Sequence, residues 1–279
     1  MGVLRVIFTR LRLEEKLLNE AAKREGIPCE MTQVSDVYYG GANFCSPDDV
    51  VLARCVSHNE NESVAALLEA EGVRVVNPSS VMRLCGNKLR TTLTLKKHGI
   101  PQPDFRVAFT PEAALAASSE LGFPVVYKPI LGSWGRLLAK ANDADAAEAV
   151  LEHKAMLGSV HNVFYIQEYV EKNGFDVRAF VVNGWAICAI NRTSEHWITN
   201  TARGGKASNF PLDDEAISLL GAVHGVIGGE FLAVDLFKAG GRLLVNEVND
   251  GGEFRNSIEP TGTDIPGAVV RAAWEARVR

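Results

Sequence analysis

The chain has no excess of basic residues. Its 29 lysines and arginines stand against 34 aspartates and glutamates, a formal charge of −5, which argues against a phosphate-backbone binder and makes nucleic acid an unexpected partner. The five cysteines, Cys29, Cys45, Cys55, Cys85 and Cys188, form no CxxC pair and no Cys/His cluster. Neither a zinc site nor a disulfide framework is indicated, and reduced thiols are expected. The apolar run in Met1 to Arg10 is broken by Arg5 and is too short for a signal segment or a membrane span, so a cytoplasmic protein without a membrane partner is expected. No GxGxxG follows the first strand, so a dinucleotide site there is not supported. No Ser/His/Asp or Cys/His arrangement suggests a covalent nucleophile, and there is no internal repeat or low-complexity segment.

What is present is ample core material, 47% apolar residues in 279, enough for two small domains or one elaborated domain of the α/β and α+β classes. Apolar runs at Val3 to Phe8, Pro28 to Val34, Val50 to Val56 and Val73 to Val76 read as strands. They alternate with helical spacing over Leu13 to Lys23 and Glu62 to Ala70, which predicts a parallel sheet. Ser79-Ser80 is expected to cap a helix starting near Val81. A helix over Thr91 to His98, stopped by Gly99-Ile100-Pro101-Gln102-Pro103, marks a boundary. The expected division is 1–87, 88–170 and 171–279. Beyond it come a helix opened by Thr110-Pro111, a strand Val125 to Pro129, a helix from Asp143 or Asp145, and a strand Val163 to Val170. Asn183-Gly184 predicts a hairpin. Asn191 to Gly205 and Gly251 to Ser257 read as polar ligand loops, and helices are expected at Leu212 to Val226 and Ile265 to Arg277.

The densest chemistry lies in a second hairpin. Phe231 to Phe237 is an apolar strand whose only charge is Asp235; Gly240-Gly241 supplies a turn, and Leu243 to Asn249 carries Glu247 and Asn249 on one face by the period of two. Three oxygen ligands side by side suit a hard divalent ion such as Mg²⁺. On spacing alone they read equally as a buried Asp, a capped Glu and a loop Asn. Lys128, ending an apolar strand, is an edge charge or a phosphate ligand. The loop Leu131-Gly132-Ser133-Trp134-Gly135-Arg136 is a structural turn or a set of backbone N–H groups folded over phosphate oxygens.

In order along the chain, Lys88, Lys128, Gly132 to Arg136, Gln167-Glu168-Tyr169-Val170, Asp176 with Arg178, and the triplet Asp235, Glu247, Asn249 resemble the ATP-grasp carboxylate–amine ligases. The segments Gly132 to Lys140, His196 to Gly205 and Glu259 to Gly267 are most similar to the LysX type, which attaches an amino acid to a small amino-group carrier protein. The resemblance spans essentially the whole chain. It implies an ATP-grasp fold behind an N-terminal Rossmann-like pre-ATP-grasp domain, with ATP between two α+β subdomains. Lys88, Lys128, Asp176 and Asn200 would serve the nucleotide, with Gly132, Ser133, Trp134, Gly135 and Arg136 as a lid and Gln167, Glu168, Tyr169 and Val170 at the adenine. Asp235, Glu247 and Asn249 would hold two Mg²⁺ ions. Arg178 and Arg203 would stabilise the γ-phosphoryl oxygens and the tetrahedral intermediate, although a solvated surface arginine remains open for each. Arg192, Thr201, Ala202, Glu253, Phe254, Arg255, Asn256 and Ser257 would meet the incoming amino acid.

The reaction so implied phosphorylates a carboxylate and lets an amine displace the phosphate, joining 2-aminoadipate to a small acidic carrier protein ending in glutamate. Within the resemblance, Asn256-Ser257 goes with 2-aminoadipate and a Gly-Phe pair with glutamate. Two departures stand out: Asn87, where an Asp is common, and Asp250-Gly251-Gly252, where a bulkier pair is expected. A homo-oligomer, dimer or tetramer, is the expected assembly. The competing functions are a glutamate–carrier ligase, a ligase adding glutamate to a ribosomal protein tail or a coenzyme, and a non-catalytic nucleotide-binding protein.

Overall fold

The structure, a computed structural model, describes residues 2–38, 45–132, 136–158, 161–199 and 205–278. It begins with β1 (Leu4–Phe8), α1 (Leu13–Arg24), β2 (Cys29–Gln33), β3 (Val50–Arg54), α2 (His58–Ala70), β4 (Arg74–Val76) and α3 (Ser79–Cys85). The four strands form a parallel sheet in the order β2-β1-β3-β4, as the strand and helix alternation predicts. Helix α2 starts four residues before the expected Glu62, because the Ser57 hydroxyl accepts the Glu60 N–H. Ser79 is not a cap. Its N–H and hydroxyl both donate to the Glu69 carboxylate, at 2.8 and 2.5 Å, and so tie α3 to α2.

Next come α4 (Lys88–Lys97), β5 (Phe105–Ala108), α5 (Pro111–Leu121), β6 (Val125–Lys128), β7 (Ala139–Ala141), α6 (Ala144–Ala155) and β8 (Phe164–Glu168). Asn87 caps α4 by accepting the Arg90 N–H at 3.1 Å, so the helix opens at Lys88 rather than at Thr91. Strands β5-β8-β6-β7 form an antiparallel sheet. Its core, Ala114, Val125, Tyr127, Leu151 and Phe164, lies under α5 and α6.

The remainder is β9 (Phe175–Val182), β10 (Trp185–Thr193), β11 (Lys206–Asn209), α7 (Asp214–Ile227), β12 (Phe231–Ala239), β13 (Arg242–Asn249), α8 (Arg255–Thr261) and α9 (Ile265–Ala276). The five strands form an antiparallel sheet ordered β11-β10-β9-β12-β13. Asn183-Gly184 and Gly240-Gly241 close its hairpins with positive φ at both positions, 47° and 85° in the first and 57° and 78° in the second. Two expected loops are partly regular: Asn191 to Thr193 extend β10 against β11, and Arg255 to Ser257 open α8.

Both faces of this sheet are covered. Val177, Val181, Leu220 and Val223 pack under α7 together with Leu95 of α4, while Phe180, Phe231 and Phe254 join Leu4, Leu18 and Val269 in a core shared with the N-terminal sheet. The N-terminal and C-terminal sheets are therefore held by one continuous apolar contact, and the polar residues at their facing edges are fixed relative to each other. No helix among the described residues is long and apolar enough to cross a membrane.

Candidate active site

The site grows out of β12 and β13. Register places Asp235 directly opposite Glu247, and Asn249 opposite Ala233. On the other side of β12, Asp235 faces Arg178 of β9. Arg178 grips the carboxylate with Nε at 2.7 Å and Nη2 at 2.8 Å, and Arg192 Nη2 adds a contact at 3.0 Å. Burial would raise the Asp235 carboxyl, but the two guanidiniums overcome it and hold the group at about 2. Arg192 is 1% exposed. Its Nε and Nη2 also donate to Asp176, at 2.7 and 2.9 Å. Asp176 in turn accepts the Thr199 hydroxyl, which accepts from Lys172. Five charged groups, Lys172, Asp176, Arg192, Asp235 and Arg178, thus run in line through the sheet, each beside one of opposite sign, as buried ions require.

Two lysines meet β13 at the neighbouring residues Asn246 and Glu247. Lys88 reaches Glu247 Oε1 at 2.8 Å and the Gly132 carbonyl at 2.6 Å; the Lys88 N–H also donates to Ile130, pinning the start of α4 to the loop after β6. Lys128, at the end of β6, is buried and donates to Asn246 Oδ1 at 2.7 Å. Burial pushes its ammonium down to about 7; Glu247 opposes that shift, and Lys88 and Lys172 reinforce it.

These groups separate two cavities. The smaller, about 60 Å³, is lined by Lys128, Gln167, Glu168, Tyr169, Val170, Lys172 and Asp176, with Trp197 and Phe237. Tyr169 meets Trp197 edge to face at 6.5 Å, and Lys140 Nζ lies 3.7 Å from the Tyr169 ring centroid. The larger, about 200 Å³, is lined by Gly132, Arg178, Arg192, Glu247, Asn249 and Glu253, and from the N-terminal sheet by Arg12, Arg54 and His58.

The structure therefore brings together Lys88, Lys128, Gly132, Gln167, Glu168, Tyr169, Val170, Asp176, Arg178, Arg192, Asp235, Glu247, Asn249 and Glu253. Arg136 is exposed. Ser133, Trp134, Gly135, Asn200, Thr201, Ala202 and Arg203 lie outside the described residues. Phe254, Arg255, Asn256 and Ser257 line neither cavity. Phe254 is drawn into the core against Phe231 at 6.2 Å, Ser257 is buried, and Arg255 comes within 3.7 Å of Glu14. Among the described residues no cluster of three or more His, Cys, Asp or Glu could hold a metal; the hairpin triplet has only two carboxylates, and each already meets a cation.

Sequence reasoning missed Arg54, Lys172 and Asn246. Arg54 carries the same signal as Lys128, a charge at the end of an otherwise apolar strand.

A RimK-like ATP-grasp domain family model matches residues 85–273, and a LysX preATP-grasp domain model matches residues 4–84. The chain belongs to the RimK-like ATP-grasp family. Its fold is accordingly the ATP-grasp fold behind an N-terminal pre-ATP-grasp domain. Among relatives of this RimK-like chain, the alpha-aminoadipate–LysW ligase LysX of Sulfurisphaera tokodaii is 36% identical over 280 residues, covering 98% of each chain. The glutamate–LysW ligase ArgX of the same organism is 31% identical, covering 95% of each. The crystal structure of a RimK domain ATP-grasp protein from Sphaerobacter thermophilus superposes with a TM-score of 0.80 at 28% identity, over 97% of this chain and 98% of that one.

Proposed function

We propose that this chain is an ATP-dependent ligase that joins the α-amino group of 2-aminoadipate to the γ-carboxyl of the C-terminal glutamate of a small acidic carrier protein of the LysW kind. The observation that carries the reading is the meeting of two lysines, two arginines and an oxygen-ligand hairpin between two cavities. The identity of 36% to a LysX, against 31% to an ArgX, favours aminoadipate over glutamate.

In this reading the smaller cavity takes the nucleotide. Tyr169 and Trp197 offer aromatic surface to the base, and the backbone of Gln167 to Val170 offers an N–H and C=O to its edge. Lys128 and Lys88 neutralise the phosphates; neither lysine has a geometric demand beyond its charge. The Asp235, Glu247 and Asn249 set fits Mg²⁺ by its chemistry, since all three present hard oxygen on adjacent strands and Glu247 and Asn249 line the larger cavity. When bound, the ions supply charge neutralisation across the phosphates. Two ions and the lid role of Gly132 to Arg136 belong to the same proposal, as do the roles of Asn200 to Arg203 and the division at 87/88 and 170/171.

In the same reading Arg178 stabilises the γ-phosphoryl oxygens and the tetrahedral intermediate; its two bonds to Asp235 and its position at the border of the larger cavity support that role. The nucleophile is the substrate amine. Catalysis is positioning and electrostatics. The decisive experiment incubates the purified chain with ATP, Mg²⁺, aminoadipate and a LysW-type carrier and follows the carrier by intact mass. Addition of one aminoadipyl group supports the reading; no adduct, or a preference for glutamate in competition, overturns it. A cytoplasmic dimer or tetramer is part of the proposal, and light scattering checks its stoichiometry.

A further inference from the structure

The larger cavity opens onto a part of the N-terminal sheet to which the reading above gives no task. In the order β2-β1-β3-β4 the chain proceeds from β1 to one side and from β3 to the other, and in open parallel sheets ligands lie beyond the carboxyl ends of strands at such a switch point. Here those ends supply Arg12 after β1 and Arg54 at the end of β3, with His58 opening α2, and all three line the cavity.

Arg54 is 5% exposed and incompletely paired. Its Nη1 donates to the Gly251 carbonyl at 2.7 Å, but its buried Nε makes no hydrogen bond. The nearest carboxylate, Glu15, is 3.5 Å from Nε and is already engaged by the Arg12 backbone and guanidinium through bonds of 2.8 to 3.1 Å. A buried guanidinium whose carboxylate partner Glu15 is shared with Arg12, at the wall of a cavity sized for one small molecule, keeps the capacity to hold a further anion from the cavity side.

The glycines opposite it are shaped to this arrangement. A Cβ on Gly251, whose φ is +143°, would lie 3.1 Å from Arg54 Nη1, and one on Gly252 would lie 2.5 Å from the Ala233 side chain. The Gly251-Gly252 pair is therefore the space into which Arg54 and β12 pack, rather than an enlarged pocket.

We infer that Arg54 anchors the side-chain carboxylate of the acidic amino acid that the ligase couples, in the crevice beyond β1 and β3. The inference rests on the proposed ligase reading and deepens it by assigning specificity to the N-terminal domain. Titration calorimetry of 2-aminoadipate and of its side-chain amide, with wild type, R54K and R54Q, tests it without requiring turnover. Wild type should prefer the acid over the amide by roughly 10- to 100-fold, the range of a hydrogen bond to a charged group. R54Q should abolish that preference by weakening the acid alone, and R54K, which keeps the charge but loses the planar fork, should narrow it. The affinity for a non-hydrolysable ATP analogue should be unchanged in both variants. If R54Q does not fold, R54K carries the test. An acid-to-amide ratio unaltered in a folded variant, or absent in wild type, overturns the assignment. A ratio that behaves as expected with no carrier adduct would overturn the ligase reading and leave Arg54 as a carboxylate site.

Discussion

Lys128 should make nucleotide affinity depend on pH above neutrality. In the nucleotide-free chain its ammonium is held down to about 7, because burial outweighs the pull of Glu247 and is reinforced by Lys88 and Lys172. A polyphosphate beside it favours the charged form, so its pKa rises on binding. Below pH 7 the lysine is already protonated and binding takes up no proton through it. Above pH 7 each further unit leaves about tenfold less of the ammonium form, so binding must recruit a proton at a cost of about 1.4 kcal/mol per unit until the bound pKa is reached. Between pH 7, where the group is half protonated, and pH 8.5 the affinity should therefore fall by roughly 15-fold through this group alone. The assay is calorimetric titration with a non-hydrolysable ATP analogue at fixed free Mg²⁺, in buffers of different ionisation enthalpy, for wild type and Lys128→Met. Taking the difference between the two proteins removes the titration of the nucleotide itself. The variant should bind more weakly at pH 6.5 and lose the extra slope above pH 7. Parallel affinity profiles for the two proteins, or equal proton uptake at pH 8, would refute the placement of Lys128 on the phosphates.

The same burial predicts an opposite effect on stability. A base whose folded pKa lies below its unfolded value of 10.5 destabilises the fold fully below pH 7 and progressively less as pH rises from 7 to 10.5. Lys128→Met without nucleotide should thus be more stable at pH 6, by a few kcal/mol at most, with the margin closing by pH 10, as read from urea melts. Arg192→Met strands Asp176 and Asp235 in the sheet without their shared cation, so it should lower unfolding free energy by about 3–5 kcal/mol; an unchanged denaturation midpoint would show that Arg178 and Lys172 suffice. Glu247→Gln should abolish most Mg²⁺-dependent turnover while leaving the melting curve near wild type, because Glu247 is only half-buried and pairs with a lysine at the cavity edge. Full turnover in that variant would remove Glu247 from the metal site.

The difference between what could and could not be read in advance lies in the range of the interactions. The pairing of Asp235 with Glu247 was legible because it needs only a period of two and a Gly-Gly turn, both local. The N-terminal parallel sheet followed from alternation for the same reason. The clasp of Arg178 and Arg192 on Asp235 was not legible, since it depends on β9 lying between β10 and β12, which brings residue 178 opposite residue 235, 57 positions away, beside the local pairing of residue 192 with residue 176. The run Phe254 to Ser257 departs in the other direction, although Glu253 just before it does line the larger cavity. Its polar composition reads as a ligand loop, yet the single aromatic, Phe254, gains more by joining Phe231 in the core than by remaining at a pocket wall, and its burial turns the following residues into the first turn of α8. With those residues withdrawn, the wall of the larger cavity is completed from the other side by Arg12, Arg54 and His58. On the proposal that Arg54 anchors the side-chain carboxylate, recognition of the amino acid falls to the ends of the N-terminal strands rather than to the loop after the β12–β13 hairpin, and the domain without a nucleotide fingerprint is the one that selects the substrate.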